Sequence, residues 1–151
     1  MKIEDIIKSK FTSEHQKAIV NLRYTANFIN HQHNVFMEQF DLTMPQFNIL
    51  RILRGAKEAL NINTVKERMV DKSPNSTRLM DKLIEKGLID RIRCEKDRRV
   101  VYVEIAERGT NLLSEIDKEI KEKDFFQVNI SDEEAVILST ILDKIRSRYE
   151  H

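Results

Sequence analysis

The fold of this chain is decided by the segment Ser73-Pro-Asn-Ser-Thr-Arg-Leu-Met-Asp-Lys-Leu-Ile-Glu-Lys-Gly87. Ser73 is a favourable N-cap, and Pro74 suits the first position of a helix, where no backbone N–H is needed. Gly87 readily adopts the left-handed backbone with which many helices end. These three residues predict one short helix with a defined start and a defined stop.

The two faces of this helix differ in character. One face carries Asn75, Arg78 and Lys82, which can form hydrogen bonds outward. The other face is apolar and should be buried. Its members are Leu79, Met80, Leu83 and Ile84, continued by Leu88 and Ile89. Such a helix is typical of those that enter the major groove of DNA, although an ordinary solvated amphipathic helix has the same pattern.

Two further helices are predicted before this segment. Thr43 begins the first with the spacing of a capping box, and Gly55 ends it. The second is shorter and covers roughly Thr64–Val70, with Asn61 or Asn63 as its cap. This short helix, the turn after it and the helix that follows in Ser73–Gly87 form a predicted helix-turn-helix.

After the helix-turn-helix, the apolar period changes from that of a helix to that of a strand. Ile92 and Cys94 share one face of the first strand and alternate with charged residues. The second strand repeats the alternation at Val101, Val103 and Ile105. The charged segment Glu95–Arg99 lies between them, which predicts an antiparallel hairpin with a basic tip. Arg98 and Arg99 suit insertion into a narrow minor groove, whereas a solvated hairpin tip would also be charged.

Apolar stripes mark both ends of the chain. Residues 1–12 carry a short helical stripe, which is too small to fold alone and should dock on another surface, such as a partner subunit. A long helix is predicted over Thr12–Phe40, another from Thr110 to about Lys123, and a last helix from the capping-box residue Ser131. The predicted buried faces comprise Ile19, Leu22, Ala26, Ile29, His33, Phe36 and Phe40 in the long helix, and Leu138, Ile141, Leu142, Ile145 and Tyr149 in the last.

Composition argues against several classes of protein. Of the 151 residues, 40% are hydrophobic and 34% are charged, as in a globular protein with many exposed helical faces. No apolar run approaches the roughly 20 residues of a membrane helix, and the N-terminus lacks the apolar core of a secretory signal, so a cytoplasmic protein is expected. Cys94 is the single cysteine, which excludes an internal disulfide. The sequence has no Gly-rich phosphate loop, nucleophile elbow or metal-ligand cluster, so neither an enzyme nor a cofactor is predicted.

The net charge of +1 is unevenly distributed along the chain. Residues 1–63 contain 8 Lys/Arg and 6 Asp/Glu, residues 64–99 contain 11 and 7, and residues 100–151 contain 7 and 12. The largest positive excess therefore lies around the predicted helix-turn-helix. A local basic patch is the electrostatic signature of nucleic-acid binding, although an excess of this size also occurs on solvated surfaces.

Four segments carry a resemblance to a known family. They are Leu42-Thr-Met-Pro-Gln-Phe-Asn-Ile-Leu50, Thr77-Arg-Leu-Met-Asp-Lys-Leu-Ile-Glu-Lys-Gly-Leu-Ile-Asp-Arg91, Asp97-Arg-Arg99 and Glu107-Arg-Gly109. Together they resemble segments of the MarR family of bacterial winged-helix transcription regulators. The first resembles that family's Leu-Thr-x-x-Gln-Phe-x-x-Leu segment, and the second its Thr-Arg-Leu-x-x-x-Leu-x-x-x-Gly-Leu-x-x-Arg segment. The third resembles its Asp-x-Arg wing, and the fourth its strand exit. The spacing agrees from about residue 15 to the end of the chain.

The resemblance implies a mainly α fold with a small β-hairpin wing, in a single MarR-like domain of residues 1–151. A winged helix-turn-helix lobe, residues 42–109, would be flanked by N- and C-terminal dimerisation helices, residues 1–41 and 110–151. The implied function is that of a homodimer that binds a pseudo-palindromic operator in double-stranded DNA, more often as a repressor, with a small aromatic molecule as effector. The half-site centres would then lie about one DNA turn apart, roughly 34 Å.

The resemblance also implies roles for individual residues. Arg78 would read guanine bidentately and Asn75 would read adenine. Lys72 and Lys82 would contact phosphate, and Arg99 would enter the minor groove. The DNA-contact candidates are Lys72, Ser73, Asn75, Ser76, Thr77, Arg78, Lys82, Arg98 and Arg99, with Asp97 orienting the wing; the candidates for an effector pocket are His33, Phe36, Phe40 and Phe47.

Two alternatives use the same fold. A metal- or redox-gated sensor would depend on His15, His31 and His33 or on Cys94. His31 and His33 lie on different helix faces, and Cys94 shares a strand face with Ile92, so side chains packed in the core are favoured over a sensing site. The second alternative is a winged-helix module that binds protein partners without DNA, against which the outward polar and basic side chains argue.

Overall fold

Helices and short strands follow one another in the order expected of a winged helix. The computed structural model describes residues 1–72 and 74–150. Within them the elements are α1 (Ile3–Ile7), α2 (Glu14–Glu38), α3 (Met44–Ala56), β1 (Leu60–Asn61), α4 (Ile62–Arg68), α5 (Ser76–Glu85), β2 (Ile89–Arg93), β3 (Val101–Ile105), α6 (Glu107–Glu122) and α7 (Asp132–Ser147). The chain forms two compact units, Met1–Ile116 and Asp117–His151. In the described part, no helix is both long enough and apolar enough to cross a membrane.

The predicted start of α3 and the predicted cap Asn61 of α4 are confirmed, whereas the predicted end of α3 is wrong. Helix α4 lies two residues earlier than the predicted range Thr64–Val70. The Thr43 hydroxyl accepts a hydrogen bond from the Gln46 N–H at 3.3 Å, and the Gln46 side chain accepts one from the Thr43 N–H at 3.0 Å. Asn61 caps α4 through its side-chain oxygen. Gly55 lies inside α3, where a glycine is tolerated at a cost of about 1 kcal/mol. Lys57 ends the helix instead, with a left-handed φ of 56°.

The start of α5 differs from the prediction, and its end agrees with it. The helix begins at Ser76 with Asn75 as N-cap, so the prediction that Pro74 is the first helical residue is wrong. Pro74 lies in the preceding turn, a position that suits its fixed φ equally well. Ser73, the predicted N-cap, lies outside the described residues. Gly87 has a φ of 69°, as predicted. The N–H groups of Gly87 and Leu88 donate to the carbonyls of Ile84 and Leu83 at 2.9 and 3.0 Å.

A three-stranded antiparallel sheet with the order β1-β3-β2 completes the winged helix. The β2–β3 hairpin confirms the predicted one, with Ile89 opposite Ile105. The two-residue strand β1 was not predicted, because two residues show no alternation. The prediction that Ile92 and Cys94 are packed in the core is wrong, since Ile92 is 39% exposed and Cys94 is half-buried. Beyond Ile89, β2 projects from the core as an edge strand, so both of its faces contact solvent.

The hydrophobic core of the first unit is built mainly by α3, α5 and the sheet. Phe47, Leu50 and Leu53 of α3 are 2%, 0% and 1% exposed, which confirms the predicted core face of that helix. Leu83 of α5 and Val103 of β3 are fully buried. The core therefore holds α5 by one face and leaves the opposite face open to solvent.

The apolar faces predicted for the terminal helices remain largely uncovered in the single chain. Met37 is the one buried residue in α2, and Ile19 is 39% exposed. No residue of α7 is buried, and its Leu138 and Ile141 are 47% and 48% exposed. One chain alone therefore does not provide the burial that the sequence predicts for these faces.

Gly109, in the first turn of α6, has no room for a side chain. A Cβ there would lie 2.2 Å from the carbonyl oxygen of Leu88 and 2.9 Å from Cγ1 of Ile105. Because the carbonyl belongs to the backbone, we expect Gly109→Ala to lower the free energy of unfolding by about 1–3 kcal/mol or more. Gly55→Ala is the matched control, since a Cβ there meets nothing within 4 Å and should stabilise α3 by about 0.5–1 kcal/mol. The midpoint of urea unfolding should fall for Gly109→Ala and rise for Gly55→Ala. An unchanged midpoint for Gly109→Ala would contradict this packing.

Candidate nucleic-acid interface

The outward face of α5 carries polar side chains predicted to contact DNA. Thr77, Arg78 and Lys82 are exposed on the helix, and Asn75 is exposed at its N-cap. The opposite face is fixed in the core by fully buried apolar side chains. A helix held in this way can place its outward side chains against base edges without moving itself.

Two predicted contact residues are placed differently from the prediction. Ser76 is only 2% exposed, because it begins α5 against the core, so we do not retain it as a DNA contact. Lys72 is exposed, but its ammonium group donates to the carbonyls of Glu67 and, at 3.3 Å, Lys66. These carbonyls lie in the last turn of α4, where the helix dipole favours a cation. Lys72 therefore closes the end of α4 in the single chain, and its predicted contact with a phosphate stays a prediction.

The tip of the wing presents two arginines to solvent. Arg98 is exposed, and the Arg99 side chain is 93% exposed. The Asp97 carboxylate accepts hydrogen bonds from the Arg99 backbone N–H at 3.0 Å and from its Nε at 3.3 Å. The Val100 N–H donates to the Asp97 carbonyl at 3.0 Å, which closes the turn. Asp97 thus binds both the backbone and the side chain of Arg99 at the wing tip.

An ion pair joins the wing to α5. Nη2 of Arg91 on β2 lies 2.5 Å from Oδ1 of Asp81 on α5. Both side chains are partly exposed to solvent, so the pair contributes no more than about 1 kcal/mol to stability. The pair restrains the position of β2 relative to α5, because it connects these elements in addition to the turn at Gly87. The sequence analysis did not identify this pair, since no local pattern relates two residues on different elements.

A surface cleft of about 590 Å³ lies in the first unit. Residues near the ends of α2 and α5 and from the first turns of α6 line it, among them Phe40, Lys86, Leu88, Arg108 and Leu112. Nζ of Lys86 lies 3.1 Å from the Asp41 carboxylate and also donates to the Asp41 carbonyl. This pair connects the end of α5 to the residues between α2 and α3.

Of the four residues predicted for an effector pocket, only Phe40 lines this cleft. Phe36 packs edge-to-face on Phe40, with ring centroids 5.8 Å apart. Phe47 is 2% exposed and belongs to the core, with the Arg51 guanidinium 5.7 Å from its ring centroid. His33 is half-buried, and burial lowers its pKa, so the neutral imidazole is favoured.

The residues of the predicted sensor alternatives are dispersed. Among residues 1–72 and 74–150, no group of three or more His, Cys, Asp or Glu side chains could hold a metal ion. His15 and His31 are exposed on α2. Cys94 has a free thiol and lies beside Arg93 and Arg98 near the wing tip.

Comparison with solved structures confirms the winged-helix architecture. A MarR-like transcription regulator from Bacillus cereus has a TM-score of 0.76 at 19% identity, covering 89% of this chain and 96% of that chain. A mutant MarR from E. coli, solved in complex with operator DNA, has a TM-score of 0.70 at 24% identity, covering 88% of this chain and 99% of that chain. At these identities the likeness shows a shared MarR-type fold.

Comparison of sequences identifies the family. The HTH-type transcriptional regulator SarZ of Staphylococcus aureus (strain USA300) is 33% identical over 112 residues, which cover 74% of this chain and 72% of the relative. The model of the family described as transcriptional regulator SarA/Rot matches residues 32–116, a range that contains the whole helix-turn-helix and the wing. Because this match covers more than half of the chain, the protein belongs to the SarA/Rot family of DNA-binding transcription regulators, which has the MarR-type winged-helix fold.

Proposed function

We propose that this protein is a repressor of transcription that binds a pseudo-palindromic operator as a homodimer. In each subunit, α5 enters a major groove and the β2–β3 wing reaches the flanking minor groove. The observation that carries the proposal is the joint presentation of Arg78 on α5 and Arg99 on the wing by one lobe, residues 42–109. Because its partner is chromosomal DNA, the protein acts in the cytoplasm, and binding requires no catalytic step.

The contacts divide into those that read bases and those that supply affinity. Arg78 has the planar fork that binds the two acceptors of guanine, and Asn75 has the donor–acceptor pair that matches adenine. Thr77 and Lys82 are both exposed on α5 and suit contacts with the phosphate backbone. Arg98 and Arg99 bring two cations to the flanking minor groove, where the potential is most negative.

Dimerisation is supported by the uncovered apolar faces of the terminal helices. Residues 1–41 and 110–151 form the dimerisation part in this proposal. A second copy of the chain would cover Leu138 and Ile141 of α7 and the exposed apolar side chains of α2. Two half-sites bound by one dimer also give an avidity that a single winged helix lacks.

The cleft of about 590 Å³ is the candidate site for a small aromatic effector. Its lining combines the apolar side chains of Phe40, Leu88 and Leu112 with polar and charged side chains of both signs, which suits a small aromatic ring with polar substituents. The charged members are Lys86, Arg108, Asp41, Glu85, Glu107 and Glu115. A ligand that is bound more tightly when Lys86 and Asp41 are apart would change the position of the end of α5. DNA affinity would then fall by the coupling free energy between the two sites.

Sequence selection from random DNA tests the proposal directly. The protein should recover two half-sites with centres roughly 34 Å apart. Arg78→Ala should relax the preference at one position in each half-site, with a loss of about 1–3 kcal/mol of discrimination there. Lys82→Ala is the matched control, since it should weaken binding to every duplex and lower the salt dependence without changing the preference. If Arg78→Ala recovers the same sequences with the same affinity, α5 does not read the bases.

A further inference from the structure

The turn between α4 and α5 is tied to α3 by one side chain from outside the helix-turn-helix. The Oδ1 atom of Asn48 accepts a hydrogen bond from the Val70 N–H at 2.9 Å. These residues are 22 positions apart in the chain. Met69, which precedes Val70, is the C-cap of α4 and has an extended backbone, so its successor can no longer donate within the helix. Asn48 supplies the acceptor that the turn itself does not.

Contacts with both α3 and α4 hold the residues that lead from α4 towards α5. No side-chain hydrogen bond from Asn75 caps the helix, although Asn75 stands at its N-cap. Ser76, the first residue of α5, is buried against the core. Lys72 ties the middle of the turn to the last carbonyls of α4, and Asn48 ties its beginning to α3. The direction of Thr77 and Arg78 therefore depends on a turn held from two sides.

We propose that Asn48 is a positioning residue for sequence reading, acting through the Val70 N–H and the turn to place the first turn of α5 in the groove. Asn48 itself lies in α3, between the buried Phe47 and Ile49, and is half-buried. Its loss should therefore affect the discrimination between sequences more than the binding of DNA as such. Phosphate contacts tolerate small displacements, whereas bidentate base contacts require alignment. This inference rests on the proposed role of α5 in reading DNA.

The test compares three variants on two duplexes. Asn48→Leu removes the acceptor at similar volume, and Asn48→Asp keeps it. Asn34→Leu is the matched control, because Asn34 is also half-buried and accepts a bond of 2.9 Å from a distant backbone N–H, that of Met44. Affinities are measured at one salt concentration for the duplex selected from random DNA and for an unrelated duplex of equal length. The quantity that tests the proposal is the ratio of the two affinities, with thermal unfolding and exchange of the Val70 amide recorded in parallel.

We expect Asn48→Leu to lower this ratio by about tenfold, as one lost hydrogen bond can do. The Val70 amide should exchange faster in that variant. Asn48→Asp should keep the protection of the Val70 amide, because it keeps the acceptor. It should also keep the affinity ratio, because its added negative charge weakens binding to the two duplexes alike. Asn34→Leu should lower the unfolding temperature without lowering the ratio.

Two results would overturn the inference. One is an unchanged ratio in Asn48→Leu, and the other is an equal decrease in Asn34→Leu, which would show that general loss of stability is the cause. Arg78→Ala, measured on the same duplexes, separates this failure from that of the proposed function. If Arg78→Ala loses discrimination and Asn48→Leu does not, α5 still reads DNA and only the role of Asn48 is wrong. If neither variant loses discrimination, the reading role of α5 is wrong as well.

Discussion

Ile141→Glu on α7 should convert the protein from a dimer to a monomer and lower its affinity for the selected duplex by about a hundredfold or more. Ile141 is 48% exposed in the single chain, and no residue of α7 is buried. A carboxylate there costs the isolated chain little, because water still reaches it. In a dimer that covers this face, the same carboxylate would be buried without a partner, at a cost of several kcal/mol. Without dimerisation the second half-site no longer binds intramolecularly, and an avidity of about 10²–10⁴ is lost.

The matched control for this prediction lies on the same helix. Val136→Glu makes the same kind of change at a side chain that is 66% exposed and lies away from the stripe of Leu138 and Ile141. It should leave both the dimer and the affinity unchanged. Sedimentation over a range of concentrations measures the oligomeric state, and circular dichroism checks that the chain remains folded. A folded Ile141→Glu variant that still sediments as a dimer would refute the proposed interface.

Arg99→Ala should weaken binding to all duplexes by about tenfold per subunit, because a hydrogen bond between charged groups contributes about 1.5–3 kcal/mol. The Arg99 side chain is 93% exposed, so its loss removes no packing within the chain. In a dimer two cations leave the interface, so the slope of log affinity against log salt should decrease by about 1.8, at about 0.9 for each phosphate neutralised. Sequence preference within the half-site should change little outside the flank that the wing contacts.

Two conservative variants distinguish the effect of the Arg99 charge from the effect of its orientation by Asp97. Arg99→Lys keeps the charge and should restore the salt dependence, although not the full affinity, because lysine lacks the planar fork. Asp97→Asn keeps an acceptor for the Arg99 N–H but weakens the attraction to the guanidinium, so its effect should be smaller than that of Arg99→Ala. Fluorescence anisotropy at several salt concentrations measures all three variants. An unaltered affinity and slope in Arg99→Ala would show that the wing does not contact DNA.

Local chemistry made much of the winged helix predictable. The capping boxes at Thr43 and Ser131 are both present, because such a box depends on residues only three positions apart. Gly87 ends α5 since it takes a backbone conformation that few other residues adopt readily. Apolar spacing placed the buried face of α3 correctly for the same reason, as it depends on the period of the helix alone.

The errors arose where the outcome depended on distant parts of the chain. Pro74 is compatible with a turn as well as with a helix start, and the burial of Ser76 decides between them. Ile92 alternates correctly but lies on the part of β2 that extends beyond the core. Strand β1 exists only because β3 provides a partner for it. Asn48 gave no signal, since its hydrogen bond to Val70 joins two elements that no sequence spacing relates.

The ion pair between Arg91 and Asp81, together with the closed turn at Gly87, has a consequence for the DNA itself. Together they restrain the distance and the angle between the wing and the outward face of α5. If α5 and the wing bind DNA as proposed, the number of base pairs between the positions read in the major groove and the flanking narrow minor groove should be constant within a half-site. An A·T-rich flank should then strengthen binding only at that offset, so one inserted base pair should remove its benefit while every base of both elements is still present. In the proposed complex the protein would select the internal spacing of a half-site as well as its bases.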